Sequence, residues 1–293
     1  MRFLHCSDVH ITQDYSNVPL RQLGWRRWMA LAELKLGRSA AFAEARESLA
    51  QIAREAESRK VDHLILSGDV TAYSMESEFF GAREALGPIA ADRNRCTVIP
   101  GNHDRYTPGA LASRRFEKYF GQLLVSDLPE YCAEDGFPVV RLTGGDAAVI
   151  GLNSARVPPV PGMSHGLIGR RQLEALREAV QDPRLRGRAV LVAVHHAPLK
   201  PSGKKDTVTH GLVDGDALLD SLPGSRFAVL HGHIHHRYHH PPTEKRPHIF
   251  GAGSSTQRGQ EGYWVIEVGG GRVIGGEQHR LGKPLDNAVA RTG

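Results

Sequence analysis

Short apolar runs alternate with amphipathic segments along this 293-residue chain, and this alternation constrains the fold more than any other feature. Strand-like apolar runs lie at Arg2–Cys6, His63–Leu66, Cys96–Ile99, Ala147–Leu152, Ala189–Val194 and Phe227–Leu230. Apolar residues at helical spacing predict helices at Ala40–Ser58 and Glu76–Leu86 and near Arg170–Val180. Between His248 and Arg280 we expect short strand-like pieces split by glycines. Strands that alternate with helices predict an α/β architecture whose sheets are covered by helices.

The composition is typical of a globular protein, with 40% hydrophobic and 24% charged residues. No stretch is rich enough in Pro, Gly or Ser to read as a linker, so we expect one domain over residues 1–280 and a polar tail over 281–293. No apolar run approaches the ~20 residues that a membrane span needs.

The cysteines and the start of the chain predict the compartment. Cys6, Cys96 and Cys132 are few, widely spaced and odd in number, which favours a reducing compartment over a disulfide framework. The first candidate site residue is Asp8, so cleavage of a leader would remove the first strand. We therefore expect a cytoplasmic protein, with peripheral contact to the inner membrane face as an option.

Polar residues of one kind follow the predicted strands. After five of the strands come Ser7–His10, Gly68–Asp69, Gly101–Asp104, His195–His196 and His231–His235. In an open α/β sheet the carboxyl ends of the strands meet at one edge, where ligands bind. We therefore expect seven side chains to converge there: Asp8, His10, Asp69, Asn102, His195, His233 and His235.

These side-chain types point to metal ions. A buried carboxylate or imidazole is costly unless it is paired or binds a metal. Carboxylate, imidazole and amide oxygen together suit borderline divalent ions. Seven ligands exceed the three or four of a single catalytic zinc site and fit two ions about 3.5–4 Å apart that share a bridging carboxylate. Each motif alone has an ordinary structural alternative, such as a turn at Gly101–Asp104. The order of all five, each at a strand end, favours the metal interpretation.

The complete set resembles the calcineurin-like metallophosphoesterase family, within it the bacterial phosphodiesterases and UDP-diacylglucosamine pyrophosphatases. The family pattern is D-x-H, GD, GNH[DE], H and GHxH, and the resemblance spans residues 2 to about 256. The matching residues are Asp8 and His10, Gly68 and Asp69, Gly101–Asp104, His195 and Gly232–His235. The resemblance implies a four-layer αββα sandwich of two mixed β-sheets flanked by helices.

The resemblance also implies the ligands of two divalent ions, whether Mn, Fe, Zn or Mg. The first ion would be held by Asp8, His10, Asp69 and His235. The second would be held by Asp69, Asn102, His195 and His233, with Asp69 as the bridge. His195 is preferred to His196 because the first of two adjacent histidines is usually the ligand in this family.

A mechanism follows from this arrangement. Two cations lower the pKa of a water between them, so that hydroxide forms near neutral pH and attacks phosphorus in line. Asn102 and His103 would contact the substrate, and His103 would stabilise the developing charge or protonate the leaving oxygen. Asp104 would either orient His103 or cap a helix that starts near Pro108. The remaining histidines of these regions are expected in supporting or surface positions: His210, His231, His236, His239 and His240.

The substrate is predicted less directly. Segment 20–38 is rich in Trp and Arg, which suits a lipid-facing helix, a lid or a dimer contact, and Trp25 and Arg26 are candidate substrate contacts. A basic loop, Lys200–Lys205, follows a predicted ligand and would meet a nucleotide phosphate or only solvent. The net charge of +5 suits an anionic partner.

We therefore expect hydrolysis of phosphodiester or pyrophosphate bonds in a nucleotide or a lipid-linked small molecule. The alternatives within this class are cyclic-nucleotide and glycerophosphodiester phosphodiesterases. No stable nucleic-acid partner is expected, because no DNA-binding module or extended basic tract is present. A non-catalytic scaffold is a remote alternative, since every predicted ligand is in place.

Overall fold

The computed structural model describes residues 1–13, 39–105, 107–133, 135–157 and 163–282. The predicted Trp- and Arg-rich segment 20–38, with Trp25 and Arg26, lies outside the described residues, as does the tail from 283 onward.

Eleven strands form the two sheets of the described chain. They are β1 (Arg2–Cys6), β2 (His63–Leu66), β3 (Cys96–Val98), β4 (Val139–Thr143), β5 (Ala147–Gly151), β6 (Ala189–Ala193), β7 (Phe227–His231), β8 (Arg237–His240), β9 (His248–Ala252), β10 (Gly262–Gly269) and β11 (Arg272–Arg280). The α-helices are α1 (Ser39–Ala41), α2 (Ala45–Ser58), α3 (Glu76–Leu86), α4 (Pro108–Ala112), α5 (Arg115–Phe120), α6 (Arg170–Ala179) and α7 (Gly215–Asp220). Short 3₁₀ helices lie at Gly87–Ala91, Gly121–Leu124, Pro129–Tyr131 and Pro183–Leu185.

Both sheets are mixed. The first has the order β11-β10-β1-β2-β3, in which β1, β2 and β3 are parallel and β10 is antiparallel to both of its neighbours. The second has the order β4-β5-β6-β7-β9-β8, with four parallel strands in the middle and antiparallel strands at both edges. The register aligns the parallel strands at their carboxyl ends: Cys6 pairs with Leu66, and Leu66 with Val98. The loops that follow these strands therefore start at the same height.

Three apolar clusters define four layers. The first lies between sheet one and helices α2, α3 and α5, and includes Leu64, Ile52 and Phe79. The second lies between the two sheets and includes residues of both, such as Phe3 and Leu191. The third packs sheet two against α6 and α7. The layer order is helices, sheet, sheet, helices, which confirms the predicted αββα sandwich. No helix among the described residues has the length and apolarity required to traverse a lipid bilayer.

Two predicted elements differ from the structure. The helix expected over Ala40–Ser58 is interrupted at residues 42–44, and the break places the ring of Phe42 against His10, with 4.9 Å between ring centroids. The prediction of short strand-like pieces between His248 and Arg280 is wrong for β10 and β11. These strands have eight and nine residues and form an antiparallel hairpin.

Strand β4 is absent from the sequence prediction because Arg141 interrupts its apolar pattern. The structure buries Arg141 to 1% exposure and pairs its Nη1 with Asp127 Oδ1 at 2.9 Å, so the charge is compensated. The three cysteines Cys6, Cys96 and Cys132 are free thiols, as the sequence predicts.

Candidate metal centre

The five loops with the predicted ligands meet at the carboxyl ends of the parallel strands and are joined by hydrogen bonds. The N–H of Asp8 donates to the carbonyl of Gly68 at 3.1 Å, which ties the loop after β1 to the loop after β2. The N–H of Gly232 donates to the carbonyl of His195 at 3.0 Å, which ties the loops after β7 and β6. The N–H of His233 donates to Asp8 Oδ2 at 2.8 Å, so the two sheets are joined at the site itself.

Two glycines permit this close approach. A Cβ at Gly101 would collide with the side chain and backbone of Asp69. A Cβ at Gly232 would collide with the side chains of Ser7 and Asp8. A larger residue at either position would push a predicted ligand out of place.

The backbone at the site is strained. Eight described non-glycine residues have positive φ, and five of them are predicted ligands: Asp8 (52°), His10 (48°), Asp69 (51°), His233 (69°) and His235 (57°). Such conformations cost of order 1 kcal/mol or more each and persist where the surroundings over-determine them. Their concentration at one edge indicates that this edge is a functional site.

The first group of predicted ligands surrounds Asp8. Asp8 Oδ1 lies 3.2 Å from His235 Nε2 and 3.8 Å from His10 Nε2. The two histidine Nε2 atoms are 3.2 Å apart, and His10 Nε2 is 3.9 Å from Asp69 Oδ2.

The second group surrounds Asn102. Its Oδ1 lies 3.0 Å from His195 Nε2 and 3.1 Å from His233 Nδ1. Asp69 Oδ2 is 3.3 Å from His195 Nε2, so this oxygen faces both groups. The structure therefore brings all seven predicted ligands together in two groups with Asp69 between them.

The hydrogen bonds behind the ligands show that these residues fit a cation. His195 Nδ1 pairs with the Ser67 carbonyl at 2.9 Å, and His233 Nε2 pairs with the His210 carbonyl at 2.9 Å. A carbonyl only accepts, so each of these nitrogens bears a proton. Burial lowers the pKa of His233 to about 3, so its Nδ1 points a lone pair at Asn102 Oδ1, which is also an acceptor. A metal ion satisfies this convergence of acceptors, and a carbonyl behind each histidine is the usual support of a metal ligand.

The charges of the site also favour a bound cation. Burial opposes ionisation of Asp8, but hydrogen bonding to His235 and nearby histidine charge hold its pKa well below the ordinary value. Burial also opposes ionisation of Asp69, and the charges on His195 and His103 likewise hold its pKa well below the ordinary value. For His195, burial lowers the pKa, but the charges of Asp69 and Asp8 outweigh it and raise the pKa to about 9. Two buried carboxylates thus favour positive charge at the centre.

His196 lies beside the site with both ring nitrogens engaged. It is close enough to His195 and His233 for the three to form a possible metal-binding group. However, its Nδ1 pairs with Ser154 Oγ at 2.8 Å and its Nε2 with the Ser164 carbonyl at 3.0 Å. The geometry therefore favours His195 as the ligand, and the ligand assignment itself stays a prediction.

His103 and Asp104 have different positions from those expected of a pair. His103 Nδ1 pairs with the Ala72 carbonyl at 2.7 Å, and its ring lies edge-on to His10 at 4.9 Å between centroids. Asp104 is buried, and its carboxylate accepts hydrogen bonds from the loops after β2 and β3. The helix cap expected of Asp104 is supplied instead by Thr107, whose hydroxyl accepts from the Ala110 N–H at 3.2 Å. Asp104 therefore acts as a clamp between loops, a contact that the sequence does not predict, and its orientation of His103 stays a prediction.

A pocket of about 370 Å³ opens at the centre, lined by Asp69, Asn102, His103, Ser164, His210, His233, Ile234 and His235. Three of these residues are absent from the predicted site. Ile234 is the variable position of the G-H-x-H motif, and His210 was expected only in a supporting or surface position. Ser164 has no sequence signal, because its place depends on a contact between distant loops in which its N–H donates to the Thr209 carbonyl at 3.0 Å.

The chain is similar to known proteins in part of its sequence and in its fold. A stretch of 76 residues, 25% of this chain, is 42% identical to a probable cyclic nucleotide phosphodiesterase from Synechococcus sp. (strain WH7803) and spans 28% of that protein. Among solved structures, a dimetal phosphatase from Danio rerio superposes with a TM-score of 0.59 at 13% identity, covering 96% of this chain and 99% of the other. A purple acid phosphatase from yellow lupin seeds superposes with a TM-score of 0.53 at 11% identity, covering 95% and 53%. These two likenesses show the shared fold.

The family itself is shown by a model described as calcineurin-like phosphoesterase, which matches residues 1–237 and so includes every strand end with a predicted ligand. This chain belongs to the calcineurin-like phosphoesterase family.

Proposed function

We propose that the chain hydrolyses phosphodiester bonds of a small molecule with the help of two divalent metal ions. The observation that carries the proposal is the position of Asp69, whose Oδ2 faces His10 on one side and His195 on the other. One carboxylate oxygen between two groups of acceptors suits a bridge between two ions, the arrangement used for in-line displacement at phosphorus.

The bound ions would supply Lewis acidity toward water and toward a phosphate oxygen. The chain supplies the geometry. Seven side chains on loops joined by hydrogen bonds would hold the ions next to the pocket, so substrate binding would require little reorganisation. His103 lines the pocket, and its Nδ1 donates to the Ala72 carbonyl, which fixes the ring. With Nε2 protonated as well, the ring would donate to a phosphate oxygen or give its proton to the leaving oxygen.

A diester substrate is supported by the match to a probable cyclic nucleotide phosphodiesterase. Cleavage of a pyrophosphate in a lipid-linked nucleotide, and contact with a membrane surface, depend on segment 20–38, which lies outside the described residues. Both stay predictions. Liposome co-sedimentation tests the membrane contact. If segment 20–38 contacts the membrane, the double variant Trp25→Ala/Trp28→Ala should bind liposomes more weakly than the wild type.

The proposal is tested by turnover of bis(p-nitrophenyl) phosphate with Mn²⁺. We expect hydrolysis by the wild type and a loss of about 10²–10³-fold in kcat for His103→Ala, the range typical of a group that acts on the reacting oxygens. The control is His236→Ala, at an exposed histidine outside the pocket lining. Absence of turnover with every divalent metal, despite metal binding, would support the scaffold alternative instead.

A further inference from the structure

Two histidines that are not predicted ligands line the pocket. Each packs on a residue of a different ligand group. The ring of His103 packs on His10 of the first group, with 4.9 Å between centroids. The ring of His210 packs on His233 of the second group, with 4.3 Å between centroids. Both rings line the pocket, so a substrate at the centre lies within reach of each. His103 is already assigned to the reacting oxygens, and His210 has no assigned role.

The orientation of His210 is fixed by a carboxylate. Its Nδ1 pairs with Asp206 Oδ2 at 2.8 Å. Asp206 Oδ1 accepts the N–H of Thr207 at 2.7 Å, and the loop closes with the N–H of Gly211 on the Thr207 carbonyl at 2.8 Å. Since a carboxylate accepts, Nδ1 bears the proton, and the ring nitrogen left for a ligand is Nε2, an acceptor in the neutral ring. Such an acceptor binds an O–H group and is poorly suited to a phosphate oxygen.

None of the three lysines of the loop Lys200–Lys205 lines the pocket, so they do not build a site there for a second phosphate. Lys200 Nζ lies 3.6 Å from Asp206 Oδ1, and Lys205 is paired with Asp216. These carboxylates offset two of the three positive charges of the loop. The remaining groups on this side of the pocket are neutral: the hydroxyl of Ser164 and the side chain of Ile234. A mixed hydroxyl and apolar surface fits a sugar or a glycerol unit better than a pyrophosphate.

We propose that His210, oriented by Asp206 and assisted by Ser164, is a specificity-determining contact that accepts a hydrogen bond from a hydroxyl on the alcohol portion of the phosphodiester. The inference rests on the proposed phosphodiesterase function and names its substrate class: diesters with a hydroxyl near the phosphate, as in a ribose or a glycerol.

The test removes the hydroxyl from the substrate and its partner from the protein. For the Mn²⁺-loaded protein, kcat/KM is measured for 3′,5′-cyclic AMP against its 2′-deoxy analogue, and for glycerophosphocholine against 3-hydroxypropyl phosphocholine. One hydrogen bond predicts a wild-type preference of about three- to tenfold for the member of one pair that carries a hydroxyl on the carbon next to the phosphate-bearing carbon. The pair that shows the preference identifies the source, ribose or glycerol.

His210→Ala should reduce this preference to about one, and His210→Gln, whose side-chain oxygen still accepts, should restore part of it. Asp206→Ala should weaken it, because the ring is no longer oriented. The matched control His236→Ala should keep it. Metal content and thermal unfolding, measured for every variant, separate a lost contact from a damaged fold. The comparison of substrates with the wild-type protein does not depend on the folding of any variant.

The inference is overturned if the wild type shows no preference within either pair, or if His210→Ala keeps a wild-type preference. It also fails if the wild type cleaves bis(p-nitrophenyl) phosphate but no hydroxyl-bearing diester, an outcome that leaves the proposed function intact. Absence of any phosphodiester turnover would instead contradict the proposed function.

Discussion

Asp104 joins the loops that follow β2 and β3, and Asp104→Asn tests this role. One carboxylate oxygen accepts the N–H and the hydroxyl of Thr71, both at 2.9 Å. The other accepts the N–H of Val70 at 3.2 Å and of Gly101 at 2.9 Å. Asparagine has one acceptor, so its NH₂ must face one of these pairs of donors.

The magnitude follows from the donors left without an acceptor. Each buried donor costs about 1–3 kcal/mol, and two are lost together. Part of this is offset, because burial and the charge of Asp69 already raise the pKa of Asp104 to about 6 in the metal-free protein, so removing the charge relieves repulsion. We expect a net loss of about 2–4 kcal/mol in the free energy of unfolding.

Urea unfolding of the purified variant measures this loss. The matched control is Asp62→Asn, at an exposed carboxylate that accepts one hydrogen bond from the N–H of Arg2 at 2.7 Å, and we expect a change of at most about 1 kcal/mol. Wild-type stability of Asp104→Asn combined with a strong loss of kcat would refute the clamp and favour the sequence-based idea that Asp104 orients His103.

Three further predictions follow from the structure. His63 is buried, with Nδ1 on the Asn94 carbonyl at 2.9 Å and Nε2 on Thr97 Oγ1 at 2.8 Å, and burial lowers its pKa from 6.5 to about 4. The unfolded chain therefore takes up a proton that the fold excludes, so this residue should reduce stability by about 3 kcal/mol as pH falls from 6.5 to 4, and His63→Gln should flatten the pH profile of urea unfolding in that window. Gly166→Ala places a methyl group against the ring of His196 and should lower both the melting temperature and the metal content. An unchanged melting temperature would show that the loop moves to accommodate the methyl group without loss of stability. Chelation should lower the melting temperature by about 5–10 °C, as expected when ions near 100 times their Kd are removed, and calorimetry with restored Mn²⁺ should show the reversal.

The predicted ligands could be found from the sequence because the topology of the fold places them at strand ends. Parallel strands align their carboxyl ends, so a polar residue directly after a buried apolar run is assigned to the same edge as its counterparts. Asp8 and His195 are nearly two hundred residues apart in the sequence, yet both belong to the centre for this reason.

The other side of the pocket could not be found in this way. Ser164 and His210 lie in long loops, and their place depends on hydrogen bonds between those loops, such as that from the Ser164 N–H to the Thr209 carbonyl. The role of Asp104 also escapes the sequence, since a carboxylate next to His103 looks like its partner until the backbone donors around it are known. Local pattern therefore predicts which residues converge at the strand ends, and tertiary packing decides which residues hold the loops and line the pocket.

The central claim is that two ions share Asp69. Anomalous scattering from a crystal of the Mn²⁺-loaded protein tests it most directly. We expect two peaks about 3.5–4 Å apart on either side of Asp69, one among Asp8, His10 and His235 and the other among Asn102, His195 and His233. A single peak, or a peak held by His195, His196 and His233 with Asp69 unbound, would contradict it.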